Sequence, residues 1–323
     1  MGVFLEYPFF YFITFSKNVE IVSRINKKQK RLMNLYFNEN KKTEINLDTN
    51  CCSLDEWMKD CTAFDCCQHP NGFYIFLNPD EIESSDEYKD NDPYVVIDQL
   101  ESDFQQRRLK ATIDLIPVVT KNQQLKLLDI GCGEGHFTNI IKKEFKSFEV
   151  HGLDYSVSAI NYAHQKFKDI NFITANAYYP PFKNEYFDVV VCNNLWEHVP
   201  DPLKMLRAMS RVLKPSGLLI ISTPSRYRFS NLIKVFAGKE IAFMSSYHVT
   251  EYTIGQVKEQ LKYGGFKTEK VYSPPIKASN FVFTGIKAMM RFCLRIINSH
   301  HVLESTVFYA ARKLPVKCED VKM

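Results

Sequence analysis

"LLDIGCGEGHF", Leu127 to Phe137, decides the fold. A short apolar run passes into three glycines at alternate positions, Gly131, Gly133 and Gly135, and a helical pattern, "HFTNIIKKEF", begins directly behind them. An unbroken apolar run of this length suits a strand covered on both faces. Glycine reaches positive φ and has no Cβ, so a ligand can lie against the main chain at such a turn. Downstream, the strand candidates "FEVHGLD", "INFITAN", "FDVVVCN" and "GLLIIST" alternate with the helical stretches "SVSAINYAHQKF" and "PLKMLRAMSRVL". Strict alternation of strand and helix implies a mostly parallel sheet with helices on both faces. Two later candidates, "GFKTEKVY" and "STVFYAAR", bring the expected number of strands, with "LKLLDIG", to seven.

The rest of the chain is less regular. Residues 1–93 read as an N-terminal accessory segment, 94–314 as the main domain and 315–323 as a tail. The start, "MGVFLEYPFFYFITFSKN", is apolar but interrupted by Glu6 and Pro8. It lacks a basic leader and a small-residue cleavage site, and is too short to span a bilayer, so a packed or interfacial segment is expected. "DEIESSDEYKDND", residues 80–92, is acidic and turn-prone, as surface linkers are. The net charge of +4 over 323 residues is too small to argue for nucleic acid. Nine cysteines without a dense, regular spacing point to reduced thiols in a cytoplasm-like compartment. "CCSLDEWMKDCTAFDCCQH" has irregular doublets, and Cys61 to Cys66 is wider than a usual zinc pair, so no metal site is expected there.

What ligand suits the glycine turn? A dinucleotide fingerprint, G-x-G-x-x-G, needs glycine at position 136, which is His136. Asp129, just before the turn, repels a phosphate but suits an ammonium group. Asp154 ends the next strand in "HGLDYS". A carboxylate there can accept both hydroxyls of a ribose. A ribose with a cationic amino acid end and no phosphate describes S-adenosyl-L-methionine.

"LLDIGCGEGHF", "GLDYS", "ANAYYPPF", "FDVVVCNNLWEHVPDP" and "RVLKPSGLLIISTP" together resemble, in order and spacing, the motifs of class I S-adenosylmethionine-dependent methyltransferases. "EHVPDP", "STP" and "HVTEYT" are similar to the ubiquinone-biosynthesis O-methyltransferases and to bacterial methyltransferases of glycans and lipids. The resemblance implies a Rossmann-like α/β sheet, here with an N-terminal extension and helical insertions. It also implies site roles. Asp129 and the backbone of Gly131, Gly133 and Gly135 would hold the methionine end, helped by Asn193. Asp154 would bind the ribose, and Tyr155 would lie on the adenine. Asn176 and Ala177 would meet the adenine edge, where the family often has Asp in place of Asn176. Cys132 reads as a small filler of the turn.

The implied activity is methyl transfer to a small-molecule or lipid-linked acceptor, on oxygen. The sulfonium is already a strong methyl donor, so the protein chiefly supplies proximity and alignment. An oxygen acceptor also has to lose a proton. His198 in "WEHVP" is the candidate base, with Glu197 and His248 as further catalytic candidates; the alternative is that Glu197 and His198 shape the loop. Glu197 and His198 alone do not make a metal site. The stretch "CNNLWEH" has no Asn-Pro-Pro-Tyr tetrad, which disfavours amino methylation of bases or glutamine amides. The segments 226–244 and 281–300 are basic and amphipathic, as interfacial helices or lids are. They make peripheral membrane contact the partner expectation beside the acceptor. A non-catalytic methyltransferase-like module that binds cofactor or a partner is the alternative function.

Overall fold

The computed structural model describes residues 66–78, 81–82, 85, 102–116, 124–274, 281–297, 299 and 301–315. The apolar start, most of the cysteine-rich stretch and nearly all of the acidic linker lie outside the described residues. So do most of the proposed N-terminal segment and tail.

The described strands are β1 (Cys67–Gln68), β2 (Tyr74–Phe76), β3 (Lys126–Ile130), β4 (Glu149–Asp154), β5 (Asn171–Ala175), β6 (Phe187–Asn193), β7 (Leu213–Pro224), β8 (Phe266–Tyr272) and β9 (Thr306–Lys313). They form one sheet in the order β1-β2-β5-β4-β3-β6-β7-β9-β8. From β2 to β7 all neighbours are parallel, while β1 and the β7-β9-β8 edge pair antiparallel. The α/β class is as expected, and all seven expected strands are present. The number is nine because β1 and β2 extend the β5 edge, Tyr74 to Phe76 pairing with Ile173 to Ala175.

The described helices are α1 (Asp103–Leu115), α2 (His136–Glu144), α3 (Val157–Lys166), α4 (Pro202–Val212), α5 (Phe229–Phe236), α6 (Ile254–Tyr263) and α7 (Phe281–Ile296). Their starts are encoded locally. Ser102, Ser156, Asp201 and Thr253 accept hydrogen bonds from first-turn amides, and Thr253 with Gln256 completes a reciprocal capping box.

Alternate residues of β6 feed two cores. Val189 and Val191 pack with Ile141 of α2, Ile160 and Ala163 of α3 and Leu109 of α1. Val190 and Cys192 pack with Met205 and Met209 of α4 and Val257 and Leu261 of α6. The period-two alternation of a strand thus explains why β6 is apolar throughout.

The chain order reverses at β3: β4 and β5 lie on one side and β6 and β7 on the other. The carboxyl ends of the two diverging strands, β3 and β6, leave a crevice there. The helix α1 closes its top, Thr112 accepting a hydrogen bond from Asn193 at the end of β6.

Candidate active site

A cavity of about 840 Å³ opens at this switch point. Its floor is the glycine turn. Gly131, Gly133 and Gly135 have φ of 77°, 53° and 75°, conformations that side-chain-bearing residues rarely adopt. They serve different ends. Gly131 and Gly133 line the cavity. Gly135 lies off its wall, and a Cβ there would come within 2.6 Å of the Phe172 ring, so its bareness seats α2 against the sheet.

Two buried carboxylates flank the turn. Asp129 accepts a hydrogen bond from the Thr138 hydroxyl at 2.6 Å. Burial, and to a smaller extent the charge of Asp154, push its pKa up to about 6 despite the Thr138 bond. Asp154 accepts the Gly133 amide at 2.7 Å and the Ser156 amide at 2.9 Å, one on each oxygen. Asp154 lines the cavity at the end of β4, where a carboxylate can accept hydrogen bonds from ligand hydroxyls.

Asn193 donates to Thr112 while its carbonyl oxygen is buried with no hydrogen-bond partner. That orphan acceptor beside Asp129 suits a cationic amine. Tyr155 and Ala177 line the cavity wall. Asn176 lies behind it: its amide donates to Glu81 and its carbonyl accepts from the Tyr178 amide. Its polar groups are therefore taken by the turn that supports Ala177. Cys132 lines the turn, and burial and the nearby carboxylates raise its pKa well above normal, which keeps it a neutral thiol.

Arg108 is a residue that sequence reasoning missed. Among the described residues it is the only Lys or Arg lining the cavity. It donates to Gln105 and Asn194, and its guanidinium lies 5.6 and 5.7 Å from the ring centres of Phe104 and Phe137. Burial lowers its pKa to about 10, so it remains a cation at neutral pH. The only signal in the sequence was an arginine on a helix whose Phe104 and Phe137 partners could not be foreseen.

Glu197, His198 and His248 form a second cluster. One donor atom from each lies within 4.8 Å of the other two. His198 and His248 line the cavity with their rings edge to face, 5.0 Å apart, whereas Glu197 is fully buried behind them. His198 Nδ1 is 3.1 Å from the Tyr247 carbonyl, and His248 Nδ1 is 3.0 Å from a Glu251 oxygen. Both partners only accept, so Nδ1 carries the hydrogen in each ring and a neutral ring has its lone pair on Nε2. Burial, then the neighbouring His248, lowers the His198 pKa; burial raises that of Glu197. Glu197 accepts from Asn194, whose own carbonyl accepts from Arg108 and Ser222. One polar network therefore runs from α1 to the histidine pair.

Of the two insertions, only the end of the first reaches the cavity among the described residues. Met244, Ser245, Tyr247 and His248 form one rim of the cavity. This segment is tied down by Glu251, which is buried against Arg228 and accepts from the Met244 amide and His248. Phe229 of α5 meets Phe283 of α7, and Glu304 anchors α7 through Lys287 and Arg291. Among the described residues, the exposed large apolar side chains other than Tyr179, Tyr263 and Leu314 fall within 227–249 and 283–297. Among the described residues, no helix is long and apolar enough to cross a membrane.

Residues 121–271 match the profile of the family described as "Methyltransferase domain". A trans-aconitate 2-methyltransferase of Rhodopseudomonas palustris is 26% identical over 160 residues, 49% of this chain and 60% of that protein. A ubiquinone biosynthesis O-methyltransferase of Coxiella burnetii is 33% identical over 121 residues, 36% of this chain and 50% of that protein. The chain thus spans only about half to three-fifths of the curated relatives it matches. A solved S-adenosylmethionine-dependent methyltransferase of Aquifex aeolicus superposes with a TM-score of 0.47 at 16% identity, over 74% of this chain and 100% of that one.

Proposed function

We propose that this chain, which belongs through residues 121–271 to the class I S-adenosylmethionine-dependent methyltransferases, transfers the cofactor's methyl group to a hydroxyl of a small or lipid-linked acceptor. The observation that carries the reading is the layout of the cavity. The same cavity is lined by acceptors suited to an ammonium and a ribose, at the glycine turn, and by a pair of imidazoles whose Nδ1 atoms are engaged.

In this reading Asp129 and the Asn193 carbonyl hold the cofactor's ammonium, and Arg108 pairs with its carboxylate. Asp154 accepts the ribose hydroxyls, and Tyr155 packs on the base. The cofactor supplies an electrophilic methyl group. The chain's own residues orient it and meet the acceptor at the histidine pair, where His198 Nε2 takes the hydroxyl proton as the acceptor oxygen attacks. The Tyr247 carbonyl fixes the ring so that Nε2 is the basic nitrogen.

The lipid-linked alternative for the acceptor draws its support from the exposed apolar side chains of α5 and α7, among them Phe236 and Phe292, 86% and 64% exposed. Helix α5 carries Lys234 and α7 carries Lys287, Arg291 and Arg295, and neither helix has an acidic residue. Peripheral contact with an anionic bilayer would present such an acceptor to the cavity. The deciding experiment is turnover of labelled S-adenosylmethionine by the whole chain against soluble and lipid-linked hydroxyl acceptors. Product methyl ether or ester supports the reading. Cofactor binding with no turnover on any acceptor returns the non-catalytic alternative.

A further inference from the structure

We propose that the N-terminal segment carrying β1, β2 and a helical turn through Ser85 is a working part of the cofactor site, in which Ser85 accepts a hydrogen bond from the amino edge of the nucleobase and Glu81 positions the wall beside it. The methyltransferase profile covers residues 121–271, so this segment lies outside the matched region. It is nonetheless built onto the sheet. Tyr74 to Phe76 pair with Ile173 to Ala175, so β2 follows β5 to the strand end that precedes Asn176 and Ala177. Phe73, Ile75, Leu77 and Ile82 are buried in the same core as Ile160 and Ala163 of α3.

A reciprocal cap starts the helical turn after β2. Asn78 Oδ1 accepts from the Glu81 amide at 2.9 Å, and Glu81 Oε2 accepts from the Asn78 amide at 3.0 Å. That fixes the Glu81 carboxylate, whose other oxygen accepts from the Asn176 side-chain amide at 3.1 Å. Asn176 braces the following turn in two ways. Its side-chain oxygen accepts from the Tyr178 amide at 3.0 Å, and its main-chain carbonyl accepts from the Tyr179 amide at 2.8 Å. Ala177, held between them, lines the cavity. Glu81 therefore acts on that wall through Asn176, as a positioning residue.

Ser85 follows Glu81 by four residues, and the backbone is helical at both, which sets the two on one face. Ser85 is buried and lines the cavity. Its hydroxyl donates to the Ile82 carbonyl at 2.8 Å, so toward a ligand it acts as an acceptor. Asn176, by contrast, has both ends of its side chain engaged within the protein. A purine with an amino group at C6 offers the donor that Ser85 needs. A 6-oxo purine presents an acceptor instead, and Ser85 can meet it only by giving up its bond to Ile82. The identity of the ligand as a nucleoside rests on the cofactor reading; the bracing of Ala177 by Glu81 does not.

The test uses the whole chain and two ligands, S-adenosylhomocysteine and its 6-oxo counterpart S-inosylhomocysteine, compared by calorimetry. Denaturant midpoints on the same samples check that each variant is folded. The parent should bind the adenosyl ligand about tenfold more tightly than the inosyl one. Ser85→Ala should cut that ratio to about threefold or less by weakening the adenosyl ligand. Glu81→Ala should lower the ratio as well. So should Asn176→Asp, which sets two carboxylates against each other. Glu81→Gln combined with Asn176→Asp restores a donor–acceptor pair and should recover the parent's ratio. Equal affinities for the two ligands in the parent overturn the proposal and leave the cofactor reading intact. A ratio that survives Ser85→Ala does the same, as does a Glu81→Ala loss shared equally by both ligands, the mark of a purely structural brace. Binding of neither ligand by the parent sinks the cofactor reading and the proposal with it.

Discussion

The Gly133 amide donates to Asp154 at 2.7 Å, so the acid at the end of β4 holds the glycine turn that follows β3. On the proposed assignment, the carboxylate for the ribose and the loop for the methionine end are one mechanical unit. A substitution at Asp154 therefore acts on both ends of the ligand.

Asp154→Ala should weaken S-adenosylmethionine binding by at least tenfold, because each hydrogen bond to a charged group contributes about 1.5–3 kcal/mol. It should also lower stability, since the buried Gly133 amide loses its acceptor at a cost of about 1–3 kcal/mol. Calorimetry and chemical denaturation measure the two effects separately. Unchanged affinity in a folded variant removes Asp154 from the ribose site.

Cofactor affinity should depend on pH through Asp129, whose pKa stands at about 6. The ammonium of the ligand needs the ionised acid, so affinity should fall about tenfold for each unit below pH 6 and level off above it. The sign for stability is opposite. The folded pKa lies above the unfolded value of 3.8. Asp129 protonation therefore stabilises the cofactor-free fold below pH 4, and that contribution is lost as the pH rises through 6. Thr138→Val removes the hydrogen bond that favours the charged form, and should move the midpoint of the affinity profile upward. A flat profile between pH 5 and 7 contradicts the role of Asp129.

Gly135→Ala should destabilise the fold by about 2–3 kcal/mol, combining a positive φ of 75° with a methyl 2.6 Å from the Phe172 ring. The double variant with Phe172→Leu should recover part of the loss by making room, while the φ cost stays. Denaturant midpoints test this; full tolerance of alanine would show that α2 shifts freely.

How far these relations were legible in the sequence depends on their range. The seven central and edge strands announced themselves because each carries its own apolar run. β1 and β2 did not: two and three residues are too few for a period, and they become strands only by pairing on the β5 edge. Asp129, Asp154 and Asn193 were readable as candidates because strand ends are local features, and the fold brings all three to one cavity. Arg108 was missed because it sits in "FQQRRLKAT", a polar helical stretch that reads as a solvated face. Only the packing of α1 over the ends of the strands turns that side chain inward. His248 was readable as a candidate, but its position beside Glu197 comes from the Glu251–Arg228 anchor, which no spacing records.

Glu304 is the anchor of α7: it is 3% exposed and pairs with Lys287 and Arg291. Removing one member of a buried pair typically costs about 3–5 kcal/mol, because the remaining charge has lost its counterion. Glu304→Ala should therefore destabilise strongly or release α7 locally. Glu304→Leu combined with Lys287→Met should recover most of the loss. Denaturation and hydrogen exchange across 281–297 decide; a neutral Glu304→Ala would mean that α7 is held by its apolar contacts alone.

The exposed apolar side chains of α5 and α7 make the last prediction. Phe229 is turned inward onto Phe283 and Lys287, so it belongs to the packing between α5 and α7. Phe236, Phe292 and Ile296 are among the side chains exposed enough to enter a bilayer boundary, at 86%, 64% and 68% exposure. Lys234 and Arg295 lie on the same helices, and each basic residue near an anionic surface contributes about 1 kcal/mol. The chain should co-sediment with vesicles containing anionic lipid, less with neutral vesicles, and less again as salt rises. Serine at Phe236, Phe292 and Ile296 together should abolish the binding and leave S-adenosylmethionine affinity unchanged, because none of the three lines the cavity. If the parent protein ignores anionic vesicles at low salt, these helices are a lid over a soluble acceptor. Loss of cofactor affinity in the triple variant would instead tie α5 and α7 to the shape of the cavity itself.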